Sequence, residues 1–579
     1  MTADESLRVV AKTADETSDE SMRVVATSDV DDLAVPLDAL LVDAAFGPLR
    51  RLAPDLSTAR FAARLATRPA TRSAAARRLR GLAAELGRIG LGTSAVRPDP
   101  KDRRFADPAW QSNPLLRRVV QAYLAAGSTV DGLVADTGLD WRDDQRVRFL
   151  ADNVREALSP SNVPLLNPES AREAVDSGGR SLLRGAVSLA RDLRAAPRIP
   201  QMVDASAFRV GDNLAVTPGA VVARTEMFEL VQYAPQTPAV RTVPLLLVPP
   251  TINKFYVLDL APGRSWVEQL VRSGQQVFVL SWRNPDARHA AWGLESYVDA
   301  VIEALDTAER ICRTDRTVLA GVCSGGILAS LVAARLAAGG QQERLAGLTL
   351  GVTVLDHRRA GLPSALTDRY LARAATAMSR RRGYLDGRVL AEVFAWLRPG
   401  DLIWQYWVNN YLLGRRPPAF DVLYWNADTT RMPARLHADL VDLALTNQLA
   451  SAETGLGGID VDAYIVAGIS DHITPWQSCY RSTRLLGGDT RFVLSTSGHI
   501  AALVNPPGNP KASYRLGPDN PAGAQAWLDG ATTHQGSWWP DFTGWLAQRC
   551  GPDRRAPRRL GRAGLPPLIE APGTYVLDR

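Results

Sequence analysis

Apolar residues fall at helical spacing through the first third of the chain, then gather into short runs separated by helical stretches. Phe61–Leu86 is rich in Ala and Arg. Pro114–Ala126 sets Leu115, Leu116, Val119, Val120 and Tyr123 along one helical face, and Val147–Leu158 and Leu182–Ala195 repeat the pattern. No catalytic constellation appears there, so a helical N-terminal domain is expected over 35–206. The texture changes near Phe208. Strand-like runs at Pro244–Val248, Val277–Trp282, Val318–Val322, Leu348–Leu355, Ala463–Ala467 and Phe492–Leu494 alternate with helices. Such alternation predicts a mostly parallel α/β sheet over 207–579. Between about 356 and 462 the alternation lapses into a stretch rich in Trp and Tyr: Trp396, Trp404, Tyr406, Trp407, Tyr411, Tyr424 and Trp425. It reads as an inserted cap whose aromatic side chains pack rather than react. Residues 1–34 are acidic, and Thr2–Ala11 recurs imperfectly as Thr17–Ala26. A disordered tail is expected there.

Composition narrows the class. A chain of 579 residues with 46% hydrophobic and 22% charged positions is globular and too long for one ordinary core. No apolar run nears 18 uncharged residues, and the acidic start does not read as a signal peptide, so a cytoplasmic protein without a membrane span is expected. Cys312, Cys323, Cys479 and Cys550 show neither disulfide-framework nor zinc spacing. No metal and no resident cofactor are expected. The net charge of +6 comes with Arg clusters but no nucleic-acid-binding module, so these clusters read as solvated surface.

The candidate chemistry centres on Gly321-Val322-Cys323-Ser324-Gly325-Gly326. This is the Gly-x-nucleophile-x-Gly turn between a strand and a helix, with cysteine in the serine position. The frame places Cys323, not the adjacent Ser324, at the strained centre. In an α/β-hydrolase fold an acid and then a histidine follow the nucleophile, each after a later strand. Asp471, after Tyr464–Ala467, and His499, after Phe492–Leu494, meet that order, and strand carboxyl ends are where open α/β sheets place their sites. His472 competes for the base but precedes the strand that should deliver it. His289, His357, His437 and His534 lack such placement. His499 is expected to take the thiol proton and Asp471 to hold His499 in its working tautomer. The oxyanion donors expected are the Ser324 amide and an amide near Thr251, with Ile252 chosen.

From about Phe105 onward the chain resembles the polyhydroxyalkanoate synthases. The matching stretches are FADPAW at Phe105–Trp110, PPTINKFYVLDL at Pro249–Leu260, LSWRNPD at Leu280–Asp286 and GVCSGG at Gly321–Gly326. They continue with LRPGDLIWQYWVNNYLLG at Leu397–Gly414, FDVLYWNADTTRMP at Phe420–Pro433, DHITPW at Asp471–Trp476 and SGHI at Ser497–Ile500. NPPGNPKA at Asn505–Ala512, SWWPDF at Ser537–Phe542 and APGTYV at Ala571–Val576 complete them. The resemblance implies an acyltransferase that polymerises (R)-3-hydroxyacyl-CoA into polyester and releases coenzyme A, with Cys323, Asp471 and His499 as its catalytic set. It further implies a homodimer at the surface of polyester granules, with granule-coat proteins as further partners. DHITPW, LGGDTRF and NPPGNPKA look nearest to the single-subunit class that uses medium-chain monomers. A hydrolase and a non-catalytic granule scaffold are the rival readings.

Overall fold

The computed structural model describes residues 56–194, 197–357, 369–471 and 473–579. The expected tail at 1–34 and the competing His472 lie outside them. The chain divides into two compact units. One holds Ala205–Gly387 and Ala419–Arg579; the other holds the helices up to Asp204 together with Arg388–Pro418.

Among the described residues, the first unit is built on an eleven-stranded sheet. Its strands are β1 (Gly219–Arg224), β2 (Phe228–Tyr233), β3 (Leu245–Val248), β4 (Val277–Trp282), β5 (Thr317–Val322), β6 (Leu345–Gly351), β7 (Ala463–Gly468), β8 (Thr490–Ser495), β9 (Ser513–Leu516), β10 (Thr532–Gln535) and β11 (Ile569–Glu570). The order across the sheet is β10-β9-β8-β7-β6-β5-β3-β4-β2-β1-β11. Strands β4, β3, β5, β6, β7 and β8 run parallel, and antiparallel strands flank them on both sides. This is an α/β-hydrolase sheet. The parallel strands are covered on both faces, so β3 to β7 are buried throughout and read as unbroken apolar runs. One expected strand is displaced: Leu348–Leu355 was expected, and β6 runs from Leu345 to Gly351. β6 ends at Gly351, where Val352 turns to φ 45°; the Val352 amide still donates to the Val466 carbonyl of β7 at 2.7 Å, and Val352 and Leu355 remain fully buried.

In the second unit the Ala- and Arg-rich stretch forms two helices, α1 (Leu56–Thr67) and α2 (Pro69–Leu91). Pro69 cannot continue α1 but suits the first turn of α2. The next helices are α3 (Pro114–Asp136), α4 (Trp141–Ala157) and α5 (Arg180–Asp192). Asn113 starts α3 by accepting from the Leu115 and Leu116 amides ahead of another first-turn proline. The FADPAW stretch supplies a small core, with Phe105 edge-on to Trp110 at 5.4 Å and both packed with Val120. Residues 388–418, expected within the cap, belong to this unit. Gly185 of α5 meets the Tyr411 carbonyl so closely that an added Cβ would stand 1.8 Å from it. Tyr411 donates to Asp192 at 2.8 Å, and Trp407 Nε1 donates to the Asn162 carbonyl at 3.1 Å. Trp396, Trp404, Trp407 and Tyr411 form a chain of ring contacts, so these aromatics do pack.

Candidate active site

Cys323 sits between β5 and α6 (Ser324–Ala338) with φ 53° and ψ −120°. A non-glycine residue held there costs about 1–3 kcal/mol and persists only where its surroundings enforce it. The enforcement is visible. The Cys323 amide donates to the Gly351 carbonyl at 2.8 Å, and its carbonyl accepts from the Gly326 amide at 2.9 Å. A Cβ on Gly321 would stand 2.3 Å from the Gly325 carbonyl, and one on Gly325 would stand 2.2 Å from the Val248 carbonyl. The turn closes only with glycine at both positions. Strand β3 thereby comes against the elbow.

Asp471 and His499 reach the site from the ends of β7 and β8. His499 opens the short helix α7 (His499–Leu503), whose last turn is pinned by the SWWPDF stretch. Trp538 Nε1 donates to the Ala502 carbonyl at 2.7 Å and Trp539 Nε1 to the Leu503 carbonyl at 2.9 Å. His499 Nδ1 lies 2.7 Å from Asp471 Oδ2. Asp471 is fully buried, and both of its oxygens are occupied. Oδ1 accepts from the Ile473 and Thr474 amides at 2.9 Å each, and Oδ2 accepts from the Thr474 hydroxyl at 2.6 Å as well as from His499. The Thr474 hydroxyl is also 3.0 Å from His499 Nδ1.

The electrostatics follow from burial and pairing. Burial works against a charged His499 ring, but the Asp471 carboxylate, and then the hydrogen-bonded Cys323 side chain, outweigh it and lift the imidazole to about 10. With Nδ1 turned to Asp471, Nε2 is the nitrogen left for the sulfur. Burial pushes the Asp471 carboxyl up, while the His499 charge and the Thr474 bonds outweigh burial and hold it below its ordinary value. The other described histidines lie in different surroundings. His357 is pushed down to about 4 by burial, His437 pairs with Ser379 at 2.8 Å, His289 accepts the Asp286 amide at 3.0 Å, and His534 stacks on Tyr514. Burial pushes the Cys312 and Cys550 thiols up to about 12 and the Cys479 thiol well above its ordinary value. All three are buried, whereas Cys323 is part-exposed.

Ser324 is the first residue of α6, where the amide has no intrahelical acceptor. Its hydroxyl accepts the Thr251 amide at 2.9 Å, which fastens the loop after β3 to the elbow. The hydroxyl is thus a structural tie. Ile252 is the next residue, and its carbonyl accepts the Thr430 amide at 3.3 Å. Two features were missed in the sequence. Thr474 bridges the acid and the histidine; the spacing Asp-x-x-Thr, with the acid accepting amides two and three residues on, is the signal that could have found it. Lys254, 4% exposed, pairs with Asp428 at 2.9 Å, a contact across 174 residues that no local pattern announces. Among the described residues, no cluster of three or more His, Cys, Asp or Glu side chains could hold a metal, and no helix is long and apolar enough to cross a membrane.

Comparison with known proteins adds a family. Residues 101–270 match the family described as "Poly-beta-hydroxybutyrate polymerase (PhaC) N-terminus", and residues 244–506 match the alpha/beta hydrolase fold. "Poly(3-hydroxyalkanoate) polymerase 2" of Ectopseudomonas oleovorans is 47% identical over 87% of this chain and 91% of its own length. "Poly(3-hydroxyalkanoate) polymerase 1" of the same organism is 44% identical over 90% of this chain and 94% of its own. "Poly(3-hydroxyalkanoate) polymerase" of Methylorubrum extorquens is 41% identical over 83% of this chain and 81% of its own.

Proposed function

The chain belongs to the poly(3-hydroxyalkanoate) polymerase family of acyltransferases, and we propose that it builds polyester from (R)-3-hydroxyacyl-CoA through a thioester on Cys323. The observation that carries this reading is the line from buried Asp471 through His499 to the part-exposed sulfur at the strained elbow.

The Cys323 thiolate, paired with cationic His499, attacks the thioester carbonyl. Negative charge gathers on the carbonyl oxygen, and the Ser324 and Ile252 amides are the proposed donors to it. The carbon–sulfur bond to coenzyme A breaks, His499 gives its proton to the departing thiolate, and an acyl-Cys323 remains. Neutral His499 then takes the proton of an incoming hydroxyl, whose oxygen attacks the Cys323 thioester. An ester forms, and the thiolate–imidazolium pair returns. Transfer between thioesters is nearly isoenergetic and ester formation from a thioester is downhill, so sulfur keeps the acyl group reactive where a serine would store it as an ordinary ester.

The geometry favours His499 over Asp471 as the base for the incoming hydroxyl. Asp471 has no exposed surface, and both its oxygens are committed to amides, Thr474 and His499. Medium-chain monomers, a homodimer and residence at the cytoplasmic polyester granule are carried over from the resemblance as parts of the same proposal. The test is product analysis with four-carbon and with eight- to twelve-carbon (R)-3-hydroxyacyl-CoA supplied separately. Free coenzyme A with insoluble polyester from the longer group is expected. Free coenzyme A with only soluble hydroxy acid would make the protein a thioesterase.

A further inference from the structure

Residues 425–430 of the inserted segment grip the loop that carries Ile252. On one side of that residue, the Thr251 amide is fixed by Ser324 Oγ at 2.9 Å. On the other, the Ile252 carbonyl accepts from both the amide and the hydroxyl of Thr430. Between these anchors lies the single peptide whose N–H belongs to Ile252, so the peptides on both sides of it are fixed by hydrogen bonds. The grip extends along the loop. Asn253 bridges to Thr429, Trp425 Nε1 donates to the Lys254 carbonyl at 2.7 Å, and the Tyr256 hydroxyl donates to Asp428 at 2.9 Å. The Lys254 ammonium, almost fully buried, meets the same Asp428 carboxylate at 2.9 Å. A charge buried that deeply needs such a partner, so the pair specifies where the loop must sit.

We propose that Asp428 is a positioning residue for acyl transfer: through Lys254 and Tyr256 it fastens residues 252–256 and keeps the Ile252 amide aimed at the forming oxyanion. Asp428 acts through these groups rather than on the substrate. The inference rests on the assignment of Ile252 as an oxyanion donor in the proposed reaction.

The test compares two reactions of one sulfur in the full-length protein. Alkylation of Cys323 by iodoacetamide needs the thiolate but no oxyanion donor; attack on hydroxyacyl-CoA needs both. In Asp428→Asn and Lys254→Met, kcat for coenzyme A release should fall about 10- to 100-fold, less than the ~10²–10³-fold loss on deleting a donor outright, with KM changed less than about threefold. The alkylation rate should stay within about twofold of the unaltered protein. The double variant should be no slower than the worse single, because either change already unfastens the loop. Parallel falls in both reactions would overturn the proposal by revealing general damage to the elbow, and so would unchanged coenzyme A release. If Asp428→Asn does not fold, Thr430→Val, which deletes one hydroxyl, makes the same comparison with a smaller loss expected. An unaltered protein that releases no coenzyme A would instead contradict the assigned reaction, so the two failures are distinguishable.

Discussion

Replacing Cys323 by alanine lowers coenzyme A release by about 10⁴-fold or more and eliminates polymer. The size of the loss follows from the chemistry. The covalent route needs an atom that attacks, holds the acyl group and then leaves, and alanine offers none. What survives is binding and the oxyanion donors, which alone are worth far less. Neighbouring Ser324 does not substitute, because its hydroxyl is engaged by the Thr251 amide and it lies one residue beyond the strained centre of the elbow. Alanine tolerates φ 53° no worse than cysteine, and the site is part-exposed, so the unfolding midpoint should move by less than about 5 °C. Steady-state assays and a thermal melt check both halves. Activity near that of the unaltered protein would remove Cys323 from the mechanism.

The second large effect is expected from Asp471→Asn. The amide keeps the shape but removes the charge that lifts His499 to about 10 against burial. With burial then less opposed, the His499 pKa should fall, towards or below the ordinary imidazole value of about 6.5. An asparagine N–H can also face Nδ1, which leaves the proton on Nε2 and the wrong tautomer for meeting the sulfur. A loss of about 10⁴-fold in kcat is expected. Titration of the His499 ring by NMR reads the pKa directly, and an unmoved value would show that Asp471 is not what holds the ring charged.

Stability carries a matching signature. His499 has a raised folded-state pKa, so its contribution is fully present below about 6.5 and fades as pH rises through about 10. Asp471 has a lowered one, so its contribution is present above the ordinary carboxylate value and fades as pH falls through the folded value. The melting difference between the unaltered protein and the variant should therefore be widest in mildly acidic to neutral solution and close in strong alkali.

The parallel centre of the sheet was legible because burial on both faces leaves unbroken apolar runs such as Leu245–Val248 and Thr317–Val322. The flanking strands were not. Thr532–Gln535 is wholly exposed and polar, so nothing marks it as a strand. Phe228–Tyr233 is buried throughout but interrupted by Glu229, a carboxylate paired with Arg224 and bonded by the Thr574 and Tyr575 amides. That partner set joins residues some 345 positions apart, and the APGTYV stretch supplies it. Cys323, Asp471 and His499 could be chosen because each follows a legible strand in a fixed order. Thr474 and the Lys254–Asp428 pair act through tertiary contact and were invisible for that reason. The aromatic insertion was visible as a break in the alternation, yet sequence gave no hint that residues 388–418 pack in the unit of the N-terminal helices.

The most direct measurement mixes the unaltered protein with (R)-3-hydroxyacyl-CoA, quenches with acid within the first turnovers and maps the acylated peptide by mass spectrometry. The expected result is one or more hydroxyacyl units on Cys323, removable by neutral hydroxylamine as a thioester. Coenzyme A release and polymer growth with the acyl group on another residue, or on none, would contradict it.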